Sequence, residues 1–327
     1  MQVLLIRLGY RMVALRISHS SRRILWLVAV ACVLVCTSFA YSYFWLARPV
    51  GQDPAGPVVP RSLYARPWAI RQALLIGLGD SITAGFGARR YYSYFDMLAT
   101  NSPNDSSEME GISLSSVLSG LRVTNLAVSG TTSFEHLEKQ LPHLPATASN
   151  VTAIIVMTTG GNDLIHNYGR SSPRDRAMYG ATLQQAGPWI DAFNQRLEAM
   201  LAQIETIFPG RYQLFVGDIF DPTDGVGDIQ RTGLPPWKDG PEILKSYNTV
   251  FYAWAKRHPR VHIIPIHDAF LGHGIHCAQF WSAHYHENDP HYWYYENLED
   301  PNERGHDAVR RLFLIEIAKT LTQPKND

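Results

Sequence analysis

The sequence predicts an α/β protein, a three-layer sandwich around a parallel five-stranded sheet, preceded by one N-terminal transmembrane helix. Three observations predict it. Five short apolar runs rich in β-branched residues recur along the chain. Segments with helical periodicity alternate with them and follow them. A stretch of 24 residues without a charge, Ile24 to Ala47, lies near the N-terminus.

The apolar runs are Ala73–Leu78, Leu121–Val128, Val151–Met157, Tyr212–Val216 and Val261–Ile266. Continuous apolar runs suit parallel strands buried on both faces. Helical patterns cover Tyr91–Ala99, Ser133–Gln140, Ala181–Ile207, Pro241–Lys256 and Glu303–Leu321. Ser133 can cap the second of these and Asn302 the last. Alternating strands and helices imply right-handed crossovers, and in such sheets the site lies beyond the carboxyl ends of the strands. Trp189 and Phe193, at helical spacing, read as core, and Arg89 and Arg90 as surface charges.

Four segments follow. Residues 1–23 hold Arg7, Arg11, Arg16, Arg22 and Arg23 and no acid, and read as a cytoplasmic N-terminus. Residues 24–47 are long enough to span a bilayer core, with Tyr41, Tyr43, Phe44 and Trp45 at the outer interface. A start at Met12 would keep Arg16, Arg22 and Arg23 before the span. The competing reading is a cleaved signal peptide, whose apolar region would be shorter. Ser38-Phe39-Ala40 matches a cleavage site only in part, and Cys32 and Cys36 lack a convincing lipobox. The topology places the following domain outside the cytoplasm, as the periplasmic or extracellular part of a single-pass membrane protein. Residues 48–70, with five prolines, read as a semi-extended tether. One domain fills 71–327.

Composition narrows the function. The chain has 327 residues, 46% hydrophobic, which is ordinary globular composition. Lys+Arg and Asp+Glu both total 29, so the basic excess of a nucleic-acid binder is missing. Of three cysteines only Cys277 lies outside the span, which excludes a disulfide within the domain.

Three strand ends carry small polar turns. The first is Gly77-Leu78-Gly79-Asp80-Ser81, the second Asn125-Leu126-Ala127-Val128-Ser129-Gly130-Thr131-Thr132, and the third Thr158-Thr159-Gly160-Gly161-Asn162-Asp163. Taken alone, Asp80 and Ser81 are ordinary helix caps. Together, the Ser81 N–H, the Gly130 N–H and the Asn162 side chain can aim three donors at one oxyanion.

These residues resemble the GDSL/SGNH hydrolase family over most of residues 73–320. Gly79-Asp80-Ser81-Ile82-Thr83 looks like its first block, Gly130 matches the second-block glycine, and Gly160-Gly161-Asn162-Asp163 resembles the third. The resemblance implies a flavodoxin-like SGNH fold and a serine esterase, with Ser81 as nucleophile and Gly130 and Asn162 in the oxyanion hole. It implies an ester substrate, such as an acetylated glycan or a lipid, and neither cofactor nor metal. An acyltransferase, or an inactive SGNH-fold module that binds glycan, are the alternatives. No Gly-x-Ser-x-Gly elbow surrounds Ser81, which disfavours the α/β-hydrolases.

The last block departs from the family. Its usual form is Asp-x-x-His-Pro-Asn-x-x-Gly-His, and here it is Asn297-Leu298-Glu299-Asp300-Pro301-Asn302-Glu303-Arg304-Gly305-His306. Asp300 stands in the place of the base and Asn297 in that of its orienting acid. Three explanations compete: a base from elsewhere, Asp300 with a raised pKa, or a site that no longer hydrolyses. The histidine-rich stretch after the fifth strand favours the first. His273, flanked by Gly272 and Gly274, is the preferred base, with Asp268 or Asp300 orienting it. His276, His284, His286 and His291 are the other candidates. Three further readings attach to this end of the chain. His306 reads as a packing residue. The histidines with Cys277 could ligate zinc, although no short ligand spacing repeats cleanly. The tyrosines and tryptophan at 285 and 292–295 could pack together or line a cleft. Trp237, in the long insertion Asp221–Gly240, reads as part of a lid or, more simply, of a solvent-facing loop.

Overall fold

The computed structural model describes residues 19–70, 72–146 and 148–322; Arg7, Arg11 and Arg16 lie outside them. The described chain forms two units, one ending at Ala47 and one starting at Arg48. The first is an α-helix, α1 (His19–Tyr41), continued by a π-helical turn to Leu46. By length and composition it can cross a membrane.

The second unit is built on a parallel sheet of β1 (Ala73–Gly79), β2 (Leu121–Asn125), β3 (Thr152–Thr158), β4 (Tyr212–Gly217) and β5 (Val261–Ile264), in the order β2-β1-β3-β4-β5. Its principal helices are α2 (Ser81–Ala84), α3 (Tyr94–Ala99), α4 (Gly161–Ile165), α5 (Leu183–Ile207), α6 (Gly240–Arg257) and α7 (Glu303–Thr322). Alternate strand residues point to opposite faces, and the core divides accordingly. Leu75, Ile154, Val156 and Phe215 pack with α3 and α7. Leu74, Ile76, Ile155, Leu214 and Val216 pack with α5 and α6. The sandwich is therefore three layers. The edge strand β2 departs from the expected burial: Arg122, Val123 and Asn125 are exposed, whereas the other edge strand, β5, has no exposed residue.

Helix limits agree with the periodicity to within a few residues, but one cap shifts. Thr132, not Ser133, caps the helix after β2, in a capping box with Glu135. Ser133 instead gives its N–H and hydroxyl to the buried Asp163 carboxylate, at 2.8 and 2.5 Å. Asn302 does cap α7, accepting from the Gly305 N–H at 3.0 Å.

Residues 48–70 form no free tether. They lie along α7 and are held by side chains some 250 positions away. The Arg304 guanidinium donates to the Asp53 carbonyl at 2.7 Å, Asp307 accepts from the Ala55 N–H at 3.2 Å, and the Tyr292 N–H meets the Pro49 carbonyl at 2.8 Å. Ala55, Val59 and Tyr64 are buried in the α3–α7 layer. Extended, proline-rich chain suits this role because its free backbone groups can be met from outside. Gly56 makes the closest approach. Its φ is +88°, and a Cβ there would lie 2.6 Å from the Ala308 Cα.

Gly56→Val should therefore destabilise the protein by about 2–4 kcal/mol through backbone strain and overpacking, measured as a drop in denaturant midpoint. A free tether would tolerate the change, so an unchanged midpoint would refute the docked strap.

Candidate active site

The first strand end is shaped by a glycine. Gly79 has φ +118°, and a Cβ would sit 2.0 Å from the Thr158 carbonyl of β3. Only glycine lets β1 pass that close and turn outward at once. The Gln140 carboxamide closes both backbone bonds of this residue: its oxygen accepts from the Gly79 N–H and its nitrogen donates to the Gly79 carbonyl, each at 2.8 Å. The chain then delivers Asp80 as N-cap and Ser81 as the first residue of α2.

Asp80 is buried. Its Oδ1 accepts from the Ile82 N–H at 3.2 Å and from the Thr158 hydroxyl at 2.6 Å. Thr158 spends its hydrogen on Asp80, so Thr83 must donate to Thr158 and Tyr94 to Thr83, at 2.8 and 2.6 Å. This hydroxyl chain runs from α3 to the turn that carries Ser81. Burial nevertheless pushes Asp80 up to about 7, and the negative charge of Asp300 adds to the push.

Asp300 reaches the site from a tight loop. Asn297 organises it: its Oδ1 accepts from the Glu299 and Asp300 N–H groups, both at 3.2 Å, and its Nδ2 donates to Asp300 Oδ2 at 2.6 Å. Leu298, between them, has φ +68°, a costly conformation for a branched side chain and one that persists only where its surroundings enforce it. Burial raises the Asp300 pKa, and the Ser81 hydroxyl beside the carboxyl opposes that rise. The approach falls short of a completed hydrogen bond, for Oδ1 of Asp300 is buried without a partner.

Opposite Ser81, Asn162 is 7% exposed and donates to the Thr131 carbonyl at 2.9 Å. A primary amide carries two hydrogens, so one remains for a ligand. Gly130, in the adjoining turn, is exposed at φ +79°. His136 ties these turns together, with Nε2 2.9 Å from the Thr131 hydroxyl and Nδ1 2.8 Å from that of Thr159. Its burial pushes its pKa down to about 3.

Ser81, Asp80, Asn162, Asn297, Leu298 and Glu299 share the wall of one cavity that is open to solvent. Most of the remaining wall is apolar, including Ile165, Ile219, Phe220, Ile229, Leu234 and Leu244. Trp237 belongs to this wall too, not to a solvent-facing loop. Its Nε1 donates to the Ala181 carbonyl at 2.8 Å, and its ring packs on Tyr179. The apolar wall was illegible in the sequence apart from the length of the 221–240 insertion, because its residues come from five separate segments.

No histidine lines this cavity among the described residues. His273, the expected base, is buried elsewhere. Its ring lies flat on Trp293, with centroids 3.5 Å apart, and against His286 at 4.6 Å. Its Nδ1–H donates to the His291 carbonyl at 3.0 Å. Burial holds it neutral, with a pKa pushed down to about 4. The geometry thus gives His273 no path to the Ser81 proton. His276 bonds Asp228 and Gln279, His286 the Leu271 carbonyl, and His291 the Asp289 carboxylate. The Asp224 carboxylate pins their loop, accepting from the N–H groups of Gly272, Gly274 and His276 at 2.8–2.9 Å. Among the described residues no three His, Cys, Asp or Glu side chains converge on a cation position. His306 packs as expected: Nδ1 accepts from the Tyr94 N–H, so Nε2–H must donate to the Phe86 carbonyl at 2.8 Å.

Comparison with known proteins identifies the family. The family model described as the GDSL-like Lipase/Acylhydrolase family matches residues 78–308. Among curated proteins nothing matches the chain. Among solved structures it is similar to an extracellular lipase from Streptomyces rimosus, at 17% identity and TM-score 0.48, covering 76% of this chain and 99% of that one. It is similar to the acetylxylan esterase Axe2 from Geobacillus stearothermophilus, at 18% identity and TM-score 0.46, covering 76% and 95%. It is also similar to a lipolytic G-D-S-L family member from Veillonella parvula, at 13% identity and TM-score 0.45, covering 74% and 96%. With the first and third motif-bearing strand ends lining one cavity, the second outside its lining, and the family model spanning most of the chain, this protein belongs to the GDSL-like lipase/acylhydrolase family and is a hydrolase of ester bonds.

Proposed function

We propose that Ser81 is the nucleophile, that Asp300 is its general base in place of a histidine, and that the substrate is an ester with an extended acyl chain. The observation that carries the reading is the Asp300 carboxyl, buried against the Ser81 hydroxyl with one oxygen unbonded. In this reading Asn297 holds Oδ2, and the bare Oδ1 takes the Ser81 proton as Oγ attacks the ester carbonyl. The Ser81 and Gly130 N–H groups and the free Asn162 amide hydrogen hold the oxyanion. Collapse expels the alcohol, which takes the proton back from Asp300. Water then repeats the sequence on the acyl-enzyme.

A carboxylate in water is a weak base, at ~3.9. Burial supplies the correction, since it raises Asp300 toward the range in which a base works near neutral pH. The apolar walls around Ser81 suit a hydrocarbon chain better than a sugar ring, which would leave its hydroxyls unpaired there. A lipid ester therefore fits better than an acetylated glycan. The apolar helix α1, with Arg22 and Arg23 at its start, fits a single-pass anchor with the hydrolase unit outside the cytoplasm.

With 4-nitrophenyl hexanoate, Ser81→Ala should remove turnover and fluorophosphonate labelling together. Asp300→Asn should lower kcat by about 10²–10⁴-fold, while His273→Gln changes it less than about threefold. The base assignment fails if the His273 variant loses as much as the Asp300 variant.

The pH profile gives an independent reading. Asp300 must be deprotonated to act, so kcat/KM should fall as pH is lowered, through a midpoint above ~3.9. Asp80, at about 7 and electrically coupled to Asp300, should broaden that limb. Asp300→His should move it toward ~6.5. A wild-type profile flat down to pH 4 would exclude a buried carboxylate as base.

A further inference from the structure

The charges facing the cavity all have one sign. Asp80, Asp218, Asp221 and Glu299 line it, and no Lys, Arg or His does among the described residues. Three of the four acids are committed. Asp80 is held by Thr158 and the Ile82 N–H. Asp218 accepts from the His267 N–H at 2.7 Å and the Tyr252 hydroxyl at 2.9 Å. Asp221 accepts from the Thr223 and Gly225 N–H groups and the Thr223 hydroxyl. The fourth, Glu299, is half-buried, and its carboxylate makes no hydrogen bond or ion pair with any described residue. It adjoins Asp300 in the chain and shares the cavity wall with Ser81 and Leu298.

Resting on the ester-hydrolase reading above, we propose that Glu299 makes the cavity a charge filter, admitting esters and chains that are uncharged or cationic and refusing those that bear a carboxylate or phosphate.

Two physical effects act together. An anion entering the cavity gives up hydration to a mostly apolar wall. It also meets the field of the acids in the same low-dielectric space, with no basic group to neutralise it. The acids themselves report that environment, since burial pushes Glu299 and Asp80 up to about 7 and Asp218 to about 6. A substrate carboxylate would face the same penalty. The alkyl part of a neutral or cationic ester loses nothing comparable, and an ammonium would find in Glu299 an unengaged partner. The filter also acts on the reaction's own product, a fatty acid anion, which it drives out of the site.

The test uses the full chain at pH 8, where Glu299 is ionised. Two 4-nitrophenyl esters are compared: the hexanoate, and the monoester of adipic acid, which has the same six carbons and ends in a carboxylate. Wild-type kcat/KM should be lower for the adipate by at least about tenfold, and Glu299→Gln should narrow that ratio at least about threefold. Binding is read separately, from Trp237-dependent fluorescence on addition of octanol, octylamine or octanoate, so that it does not depend on turnover. Octanol and octylamine should bind, and octanoate should bind at least about tenfold more weakly. Equal handling of adipate and hexanoate, or octanoate binding as tightly as octanol, would overturn the filter. An adipate-to-hexanoate ratio untouched by Glu299→Gln would remove Glu299 from it. Loss of all turnover with the binding order intact would instead overturn the nucleophile and base assignment alone.

Discussion

Asp300 is held where water would normally hold a carboxylate, yet with only one of its oxygens bonded, and the rest of the site is arranged around that constraint. A buried acceptor without a partner costs about 1–3 kcal/mol. The fold sustains it by making the loop that carries it rigid. Asn297 bonds the loop's own N–H groups and the carboxylate together, and the Tyr295 N–H takes the Asp300 carbonyl at 2.7 Å. Leu298 is forced into the left-handed region in the same turn. Strain at Leu298 and an orphaned oxygen and raised pKa at Asp300 coincide in one loop, and Asp300 lies beside the Ser81 hydroxyl. Such coincidences cluster at functional sites.

The support extends outward in layers. The Tyr94–Thr83–Thr158–Asp80 hydroxyl chain connects the nucleophile turn to α3, and His306 connects α3 to α7 through the Tyr94 N–H. Helix α7 in turn carries the strap from residue 48 onward, through Arg304, Asp307 and Arg311. Asn302 caps that helix two residues after Asp300. The strap therefore stiffens the helix from whose start the Asp300 loop hangs, although none of its residues lines the cavity.

Much of this was legible in the sequence, and what was not has a physical reason. All five strands lie in the expected runs or extend one residue past them, and β1, β3 and β4 show why, since a parallel sheet buries both faces of its inner strands and the sequence records it locally. The strand-end rule, which depends only on chain order, points to Ser81, Asn162 and Gly130, and the fold sets the first two in the wall of one cavity and Gly130 in the adjoining turn. The strap was misread because proline and glycine content describes a segment's stiffness, whereas docking depends on Arg304 and Asp307, far along the chain. His273 was chosen for its composition and its place after β5. What excludes it is a stacking contact with Trp293 that no spacing encodes. The gap-free match of Pro301-Asn302 and Gly305-His306 puts Asp300 in the base position, where a solvated carboxylate is a weak base. Burial answers that objection, and burial is a property of the fold.

In the mechanism proposed above, an aspartate in the place of histidine changes more than basicity. A histidine base is neutral at rest and becomes cationic as it takes the serine proton, so it stabilises the oxyanion through space. Asp300 begins as an anion and becomes neutral. It adds no positive charge to the transition state, and the oxyanion must be held by the Ser81 and Gly130 N–H groups and Asn162 alone. What the carboxylate gains is relief: taking the proton removes a charge that burial and Asp80 both disfavour. The driving force for proton transfer thus comes from the resting state. The acidic wall, free of lysine and arginine among the described residues, is also the wall that an anionic substrate would have to enter, so on the proposed mechanism one electrostatic arrangement would serve both the activation of Ser81 and the choice of what reaches it.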